Sequence, residues 1–196
     1  MELSDRAKLY NDSYPNYPPL VVSGRWLYGM WMIGNNYRSK RKFYGEYPPS
    51  FLERIMSMFP DCEEIVHLFS GSLDENTTGI RFDINPDLDP TPNIIGDAHR
   101  LSEYFEEDSV DLIIADPPYS EEDAAHYGTP LINRNKVVKE CHKILKPGGF
   151  LVWLDQAYPM YRKNELHLVG TIGIIRSTNH RFRVCLIWER TNENEF

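Results

Sequence analysis

The sequence predicts an α/β fold, a mostly parallel seven-stranded sheet with helices on both faces and an antiparallel hairpin at its C-terminal end. Three observations predict it. From residue 64 onward, short and nearly continuous apolar runs alternate with helical segments, the pattern of parallel strands buried on both sides. Several of these runs end in a small or acidic residue. The last two runs are longer, rich in β-formers and joined by only a few polar residues, which fits a hairpin.

The elements follow in order. Residues 1–20 are rich in Tyr, Asn and Pro and read as an irregular arm or ordered cap. Residues 21–45 are aromatic, with Trp26, Tyr28, Trp31 and Tyr37 among them, and lack a clear period. Tyr47-Pro48-Pro49-Ser50 reads as a helix entry, followed by Phe51, Leu52, Ile55, Met56 and Phe59 at helical spacing and stopped by Pro60. The first strand is 64–69, the second 80–84, the third about 93–95 and the fourth 110–115. Residues 101–105 allow one or two helical turns. An amphipathic helix spans 133–145, with Val137, Val138, Cys141, Ile144 and Leu145 on one side, and Lys146-Pro147-Gly148-Gly149 ends it. The fifth strand is 150–154. The runs 166–175 and 181–188 make the hairpin, expected at one edge of the strand order.

Composition narrows the function classes. The chain has 196 residues, 41% hydrophobic and 26% charged, enough for one domain with a modest extension. No apolar run approaches the roughly 20 residues that span a bilayer, and the first residues lack a signal-peptide core. A cytoplasmic protein is expected. Cys62, Cys141 and Cys185 form no CxxC pair and the histidines no HExxH, so neither a disulfide framework nor a metal site is expected. The net charge of −8 argues against a general nucleic-acid binder. It is uneven, however: residues 1–45 carry +4 and the remainder −12. Much of the positive excess is Arg38, Lys40, Arg41 and Lys42, either a solvated face or a set of phosphate contacts.

In an open parallel sheet, ligands bind beyond the carboxyl ends of the strands. The first strand ends in Phe69-Ser70-Gly71-Ser72, small residues that let a backbone approach a ligand. The second ends in Asp83, suited to accept from both hydroxyls of a ribose. The third ends in Asp97, suited to accept from an adenine amino group. The fourth ends in Asp116-Pro117-Pro118-Tyr119. Two prolines cannot continue a central strand, so they set a stiff turn. An exocyclic amine has two hydrogens, one for the Asp116 carboxylate and one for the Pro117 carbonyl. Held in this way, its lone pair points at a methyl donor, and Tyr119 offers a ring on which a base stacks. Positioning and electrostatics suffice.

These motifs resemble the class I S-adenosylmethionine-dependent methyltransferases with a D/N/S-P-P-Y/F/W signature, which modify adenine N6 or cytosine N4, with some relatives acting on guanine in RNA. The resemblance covers roughly 43–190 and implies a Rossmann-like sheet and S-adenosyl-L-methionine as cofactor. It divides the chain into an N-terminal arm or cap, 1–45, and a methyltransferase domain, 46–196. Phe43 to Pro48, with Tyr44, Glu46 and Tyr47, resembles the element that closes over the methionine end of the cofactor. Phe69-Ser70-Gly71-Ser72 resembles the FxGxG loop, with Ser72 in place of the second glycine. Asp83 matches the ribose-binding acid, and Asp97, with Ala98 beside it, the adenine-side acid. Unlike sequence-specific members, the chain has no room for a target-recognition domain. Substrate contacts are therefore expected from Arg38, Lys40, Arg41 and Lys42, and from Arg176, His180 and Arg181 at the hairpin tip. The tip reaches the catalytic face if the sixth strand is parallel to the first five.

The resulting expectation is methyl transfer to a nucleic-acid base, with DNA as partner ahead of RNA and no membrane partner. An RNA base, a small molecule or protein amide as acceptor, and a non-catalytic partner subunit are the alternatives. Nothing in the sequence sets the oligomeric state.

Overall fold

The computed structural model describes residues 1–34, 47–126, 129, 131–176 and 182–191. One sheet organises them. Its strands in chain order are β1 (Val21–Ser23), β2 (Trp26–Ile33), β3 (Ile65–Leu68), β4 (Ile80–Asp83), β5 (Ile94–Ile95), β6 (Val110–Ala115), β7 (Leu145–Asp155), β8 (Leu166–Arg176) and β9 (Phe182–Arg190). In space the order is β1-β2-β8-β9-β7-β6-β3-β4-β5. The run from β5 to β7 is parallel, β9 is antiparallel to both β7 and β8, and β2 is parallel to β8. Helices α1 (Leu3–Ser13) and α2 (Phe51–Met58) cover one face. The other carries a 3-10 segment, Ala98–Glu103, and α4 (Arg134–Ile144), with the short α3 (Glu121–His126) after β6.

The α/β class and the parallel core are as the sequence predicts. The strand count is not: the sheet has nine strands rather than seven. The two additional strands come from residues 21–33, where the sequence shows no clear period. In β2, Leu27, Trp31 and Ile33 point into the core while Trp26, Tyr28, Met30 and Met32 point outward and are exposed. Both faces of the strand are apolar, so the period-two alternation that marks a half-buried strand is masked. A second correction concerns the hairpin. It is not at an edge, because β2 and β1 lie beyond β8.

Residues 3–13 are helical, where an irregular arm or cap is the sequence-based expectation. The buried face of α1 includes Arg6 beside Ala7 and Tyr10, so the apolar stripe is too thin to read. Arg6 donates to both carboxylate oxygens of Asp61 (2.7 and 2.9 Å) and to the Met58 carbonyl. Its guanidinium lies 4.6 Å from the ring centroids of both Phe59 and Phe150. Tyr10 stacks on Trp31 at 5.2 Å. The cation is thereby paired, hydrogen-bonded and stacked, which offsets its desolvation.

Two apolar clusters fill the layers. One joins α1 and α2 to Trp31, Leu112, Ile114, Val152, Ile172 and neighbours. The other joins α4 and the 3-10 segment to Val66, Phe82, Ile113, Leu151 and Trp153. The chain leaves β3 toward β4 and β5 on one side, then returns to place β6 on the other. This reversal opens a crevice at the carboxyl ends of β3 and β6, the usual ligand position in such a sheet.

Candidate active site

The end of β3 shapes the first wall of the crevice. Phe69 and Gly71 both take positive φ, 59° and 52°. Glycine is at ease there, whereas Phe69 pays strain for it. Ser70 is 2% exposed, and its Oγ has no hydrogen-bond partner among the described residues. The Gly71 N–H donates to the Asp83 carboxylate at 3.0 Å, and the Asn85 N–H donates to the other oxygen at 3.0 Å. Asp83 at the end of β4 thus braces the loop after β3. Ser72 follows, half-buried.

Asp97 follows β5 and starts the 3-10 segment, with Ala98 buried behind it. Its Oδ1 accepts from the His99 N–H (2.9 Å) and from His99 Nδ1 (2.7 Å). The Asn133 N–H donates to His99 Nε2 at 2.9 Å, so the proton sits on Nδ1. Burial works against the Asp97 carboxylate, but the two bonds from His99 outweigh it and hold its pKa below the ordinary value. Asn133 in turn caps α4 by accepting from the Lys136 N–H.

The Asp116-Pro117-Pro118-Tyr119 turn closes the far side. The Tyr119 hydroxyl donates to Asp116 Oδ1. Burial first, and the adjacent Asp116 charge second, push the tyrosine pKa well above its ordinary value, so the hydroxyl remains a donor. The Arg183 guanidinium lies over the Tyr119 ring at 4.5 Å, so one ring face is shared with a cation. Arg183 is buried and its Nε is unpartnered among the described residues. Arg134, from the first turn of α4, donates to the carbonyls of Pro118 (3.2 Å) and Tyr119 (3.1 Å) and to Asp155 (2.7 Å). Asp155 is fully buried at the end of β7. It also accepts from Trp153 Nε1 and from the N–H groups of Gln156 and Ala157. Tyr47 bridges the two walls: its hydroxyl donates to the Ile114 carbonyl at 3.1 Å and lies 3.3 Å from His67 Nδ1.

The structure therefore gathers Tyr47, Phe69 to Ser72, Asp83, Asp97, Ala98 and Asp116 to Tyr119 along one edge of the sheet. Tyr44, Glu46, Arg38, Lys40, Arg41, Lys42, His180 and Arg181 lie outside the described residues. Arg176 ends β8. Since β9 is antiparallel to both β7 and β8, β8 runs parallel to β7 and ends at the same edge. Sequence reasoning missed Arg134, Asp155, Arg183 and His99. Asp155 had a signal, because it is the acidic residue that ends the fifth strand. The other three are set by tertiary contact alone.

No family profile and no curated protein matches the chain. Among solved structures it is similar to TrmN from Thermus thermophilus, with 16% identity and a TM-score of 0.45 over 65% of this chain and 44% of that one. The chain thus spans less than half of TrmN. It is also similar to the complex of the Haloferax volcanii Trm112 methyltransferase activator with a methyltransferase, with 16% identity, a TM-score of 0.47, and 66% and 83% covered. A Pyrococcus horikoshii protein gives 13% identity, a TM-score of 0.48, and 72% and 88% covered.

Proposed function

We propose that the chain is an S-adenosylmethionine-dependent methyltransferase acting on an exocyclic amino group of a nucleic-acid base, with adenine N6 or cytosine N4 of DNA as the first candidates. One observation carries this reading. The Asp-Pro-Pro-Tyr turn stands at the carboxyl end of the central strand β6, across the switch-point crevice from a braced small-residue loop and its strand-end acid.

The residues present suit the cofactor. The buried Ser70 Oγ, unpartnered among the described residues, and the tight Phe69–Gly71 backbone provide a polar cradle at the loop. Asp83 is the acceptor for ribose hydroxyls, and Asp97 for the adenine amino group. Tyr47, and in this reading Tyr44 and Glu46, hold the methionine end. The bound cofactor supplies an electrophilic methyl group.

The chain's own groups do the rest. Arg134 occupies the Pro118 and Tyr119 carbonyls, so gripping the amine falls to Asp116 and the Pro117 carbonyl. A carboxylate accommodates about four hydrogen bonds, so Asp116 serves the Tyr119 hydroxyl and an amine N–H together. The tyrosine bond fixes the carboxylate's orientation. Withdrawing both amine hydrogens into hydrogen bonds localises the nitrogen lone pair and aims it. The base packs against Tyr119 and Arg183, since rings and guanidinium planes both accept stacking. A duplex base reaches this site only when flipped, whereas a single-stranded one needs no flipping. Arg38, Lys40, Arg41 and Lys42, together with Arg176, His180 and Arg181, are the proposed backbone contacts.

The test is transfer of labelled methyl to panels of DNA, RNA and free nucleosides, read by nucleoside mass spectrometry. Label on N6 of adenine or N4 of cytosine in DNA supports the reading. Label confined to RNA, to small molecules or nowhere sinks the DNA assignment.

Two further outcomes are expected. Asp83→Ala weakens S-adenosylmethionine binding by about 1.5–3 kcal/mol, a lost hydrogen bond to a charged group. Calorimetry on the folded variant would remove Asp83 from this role if the affinity were unchanged. Tyr119→Phe, which keeps the ring but removes its hydrogen bond to the Asp116 carboxylate, slows transfer about tenfold at saturating cofactor, the order of one such hydrogen bond. A wild-type single-turnover rate would mean that the hydroxyl orients nothing.

A further inference from the structure

The outward face of β2 is the one part of the described sheet surface that calls for a partner. Trp26, Tyr28, Met30 and Met32 project from it at alternate positions and are 46%, 47%, 42% and 59% exposed. Val21, directly opposite Tyr28 on β1, extends the row. Phe182 extends it in the other direction, from the start of β9. Between them lies Gly173 of β8. A Cβ built there would stand 2.7 Å from the Met30 sulfur and 3.2 Å from the Phe182 ring. The missing side chain is what lets Met30 and Phe182 meet across β8, so the patch is continuous over four strands. Among the described residues, none covers it. The connection from β7 to β8, residues 156–165, forms no helix, and its Tyr158 and Tyr161 pack instead on Trp188.

We infer that this face is a dimer interface, on which a second copy of the chain packs its own β2 face about a two-fold axis. Three observations favour a second copy. First, a two-fold contact sets the side chains nearest the axis against their own images, so a self-contact needs a centre free of charge. Among the described residues, the outward positions of β1, β2, β8 and β9 in this region carry none. Second, the chain as a whole carries −8, and this neutral face is where two acidic bodies approach without repulsion. A nucleic acid would need cations that the described residues of the face do not supply. Third, the area suffices. Large side chains bury some 150–250 Å² each, so five half-exposed ones offer roughly 500 Å² per copy. Two copies then remove about 1,000 Å² from water before any polar rim is added, the lower bound for a specific interface. Trp, Tyr, Phe and Met are also the residues enriched at such contacts. Two sheets stacking face to face in this way stand about 10 Å apart.

The experiment is sedimentation velocity on the full chain between about 1 and 100 μM, a range in which specific dimers of modest area dissociate. Wild type is compared with Met30→Lys and Tyr28→Lys. Both side chains point to solvent, so the fold is retained, as thermal unfolding verifies. The expected result is a wild-type dimer at the upper concentrations and at least tenfold weaker association in both variants, with unchanged melting. Wild type that stays monomeric throughout overturns the proposal and leaves the face to a different protein. A dimer that survives both substitutions places the contact elsewhere, and an open-ended series of larger species excludes the two-fold arrangement.

Discussion

Replacing Asp116 by alanine is expected to lower the rate of methyl transfer by a factor on the order of 10²–10³, the cost of deleting one preorganised polar group aimed at a reacting centre. The variant loses the acceptor for one amine hydrogen and also the partner of the Tyr119 hydroxyl. The nitrogen lone pair is then both less localised and less well aimed. Cofactor affinity should change little, because Asp83 and the Phe69–Ser72 loop are on other strands and are braced through Gly71 and Asn85. Single-turnover kinetics with cofactor saturating separates the two effects. A wild-type rate in the folded variant would reduce the Asp-Pro-Pro-Tyr turn to a structural corner.

The largest effect on stability is expected from Asp155. Its side chain is fully buried and paired with Arg134, which is itself mostly buried. Asp155→Ala leaves that guanidinium without its counter-charge and strands the donors of Trp153, Gln156 and Ala157. Removing one partner of a buried pair costs about 3–5 kcal/mol. The loss extends to the candidate active site, since Arg134 also holds the carbonyls of Pro118 and Tyr119. Chemical denaturation should therefore show a much lower midpoint with an unchanged slope. A loss under about 1 kcal/mol, the value of an exposed pair, would mean that solvent reaches the pair and that the turn does not depend on it.

The sequence made the edge that carries the candidate site legible because strand ends are punctuated by chemistry. The carboxylates Asp83, Asp97 and Asp116 each follow an apolar run, and the sheet converts that linear spacing into proximity. Applied to the fifth strand, the same rule reaches Asp155. Other features leave no such trace. Arg183 is one arginine among several in a β-rich run, and only the antiparallel entry of β9 beside β7 carries it over Tyr119. Arg134 reads as an ordinary helix residue until α4 docks. The missing strands were hidden for another reason: β2 is apolar on both sides, and alternation is visible only where one side is polar. In α1, a buried arginine breaks the apolar stripe that would have announced a helix.

The position of β2 has a consequence for how the chain is made. Its pairing with the parallel neighbour β8 begins at Gly170, about 140 residues after Leu27, so it closes one of the longest loops in the molecule. Because a ribosome delivers β2 before β8, a segment apolar on both sides waits for its partner while about 140 further residues are synthesised. During that interval α1 and α2 are the nearby elements able to shelter Leu27, Trp31 and Ile33. The buried side of β2 thus has its helical partners close in sequence and its strand partner far away.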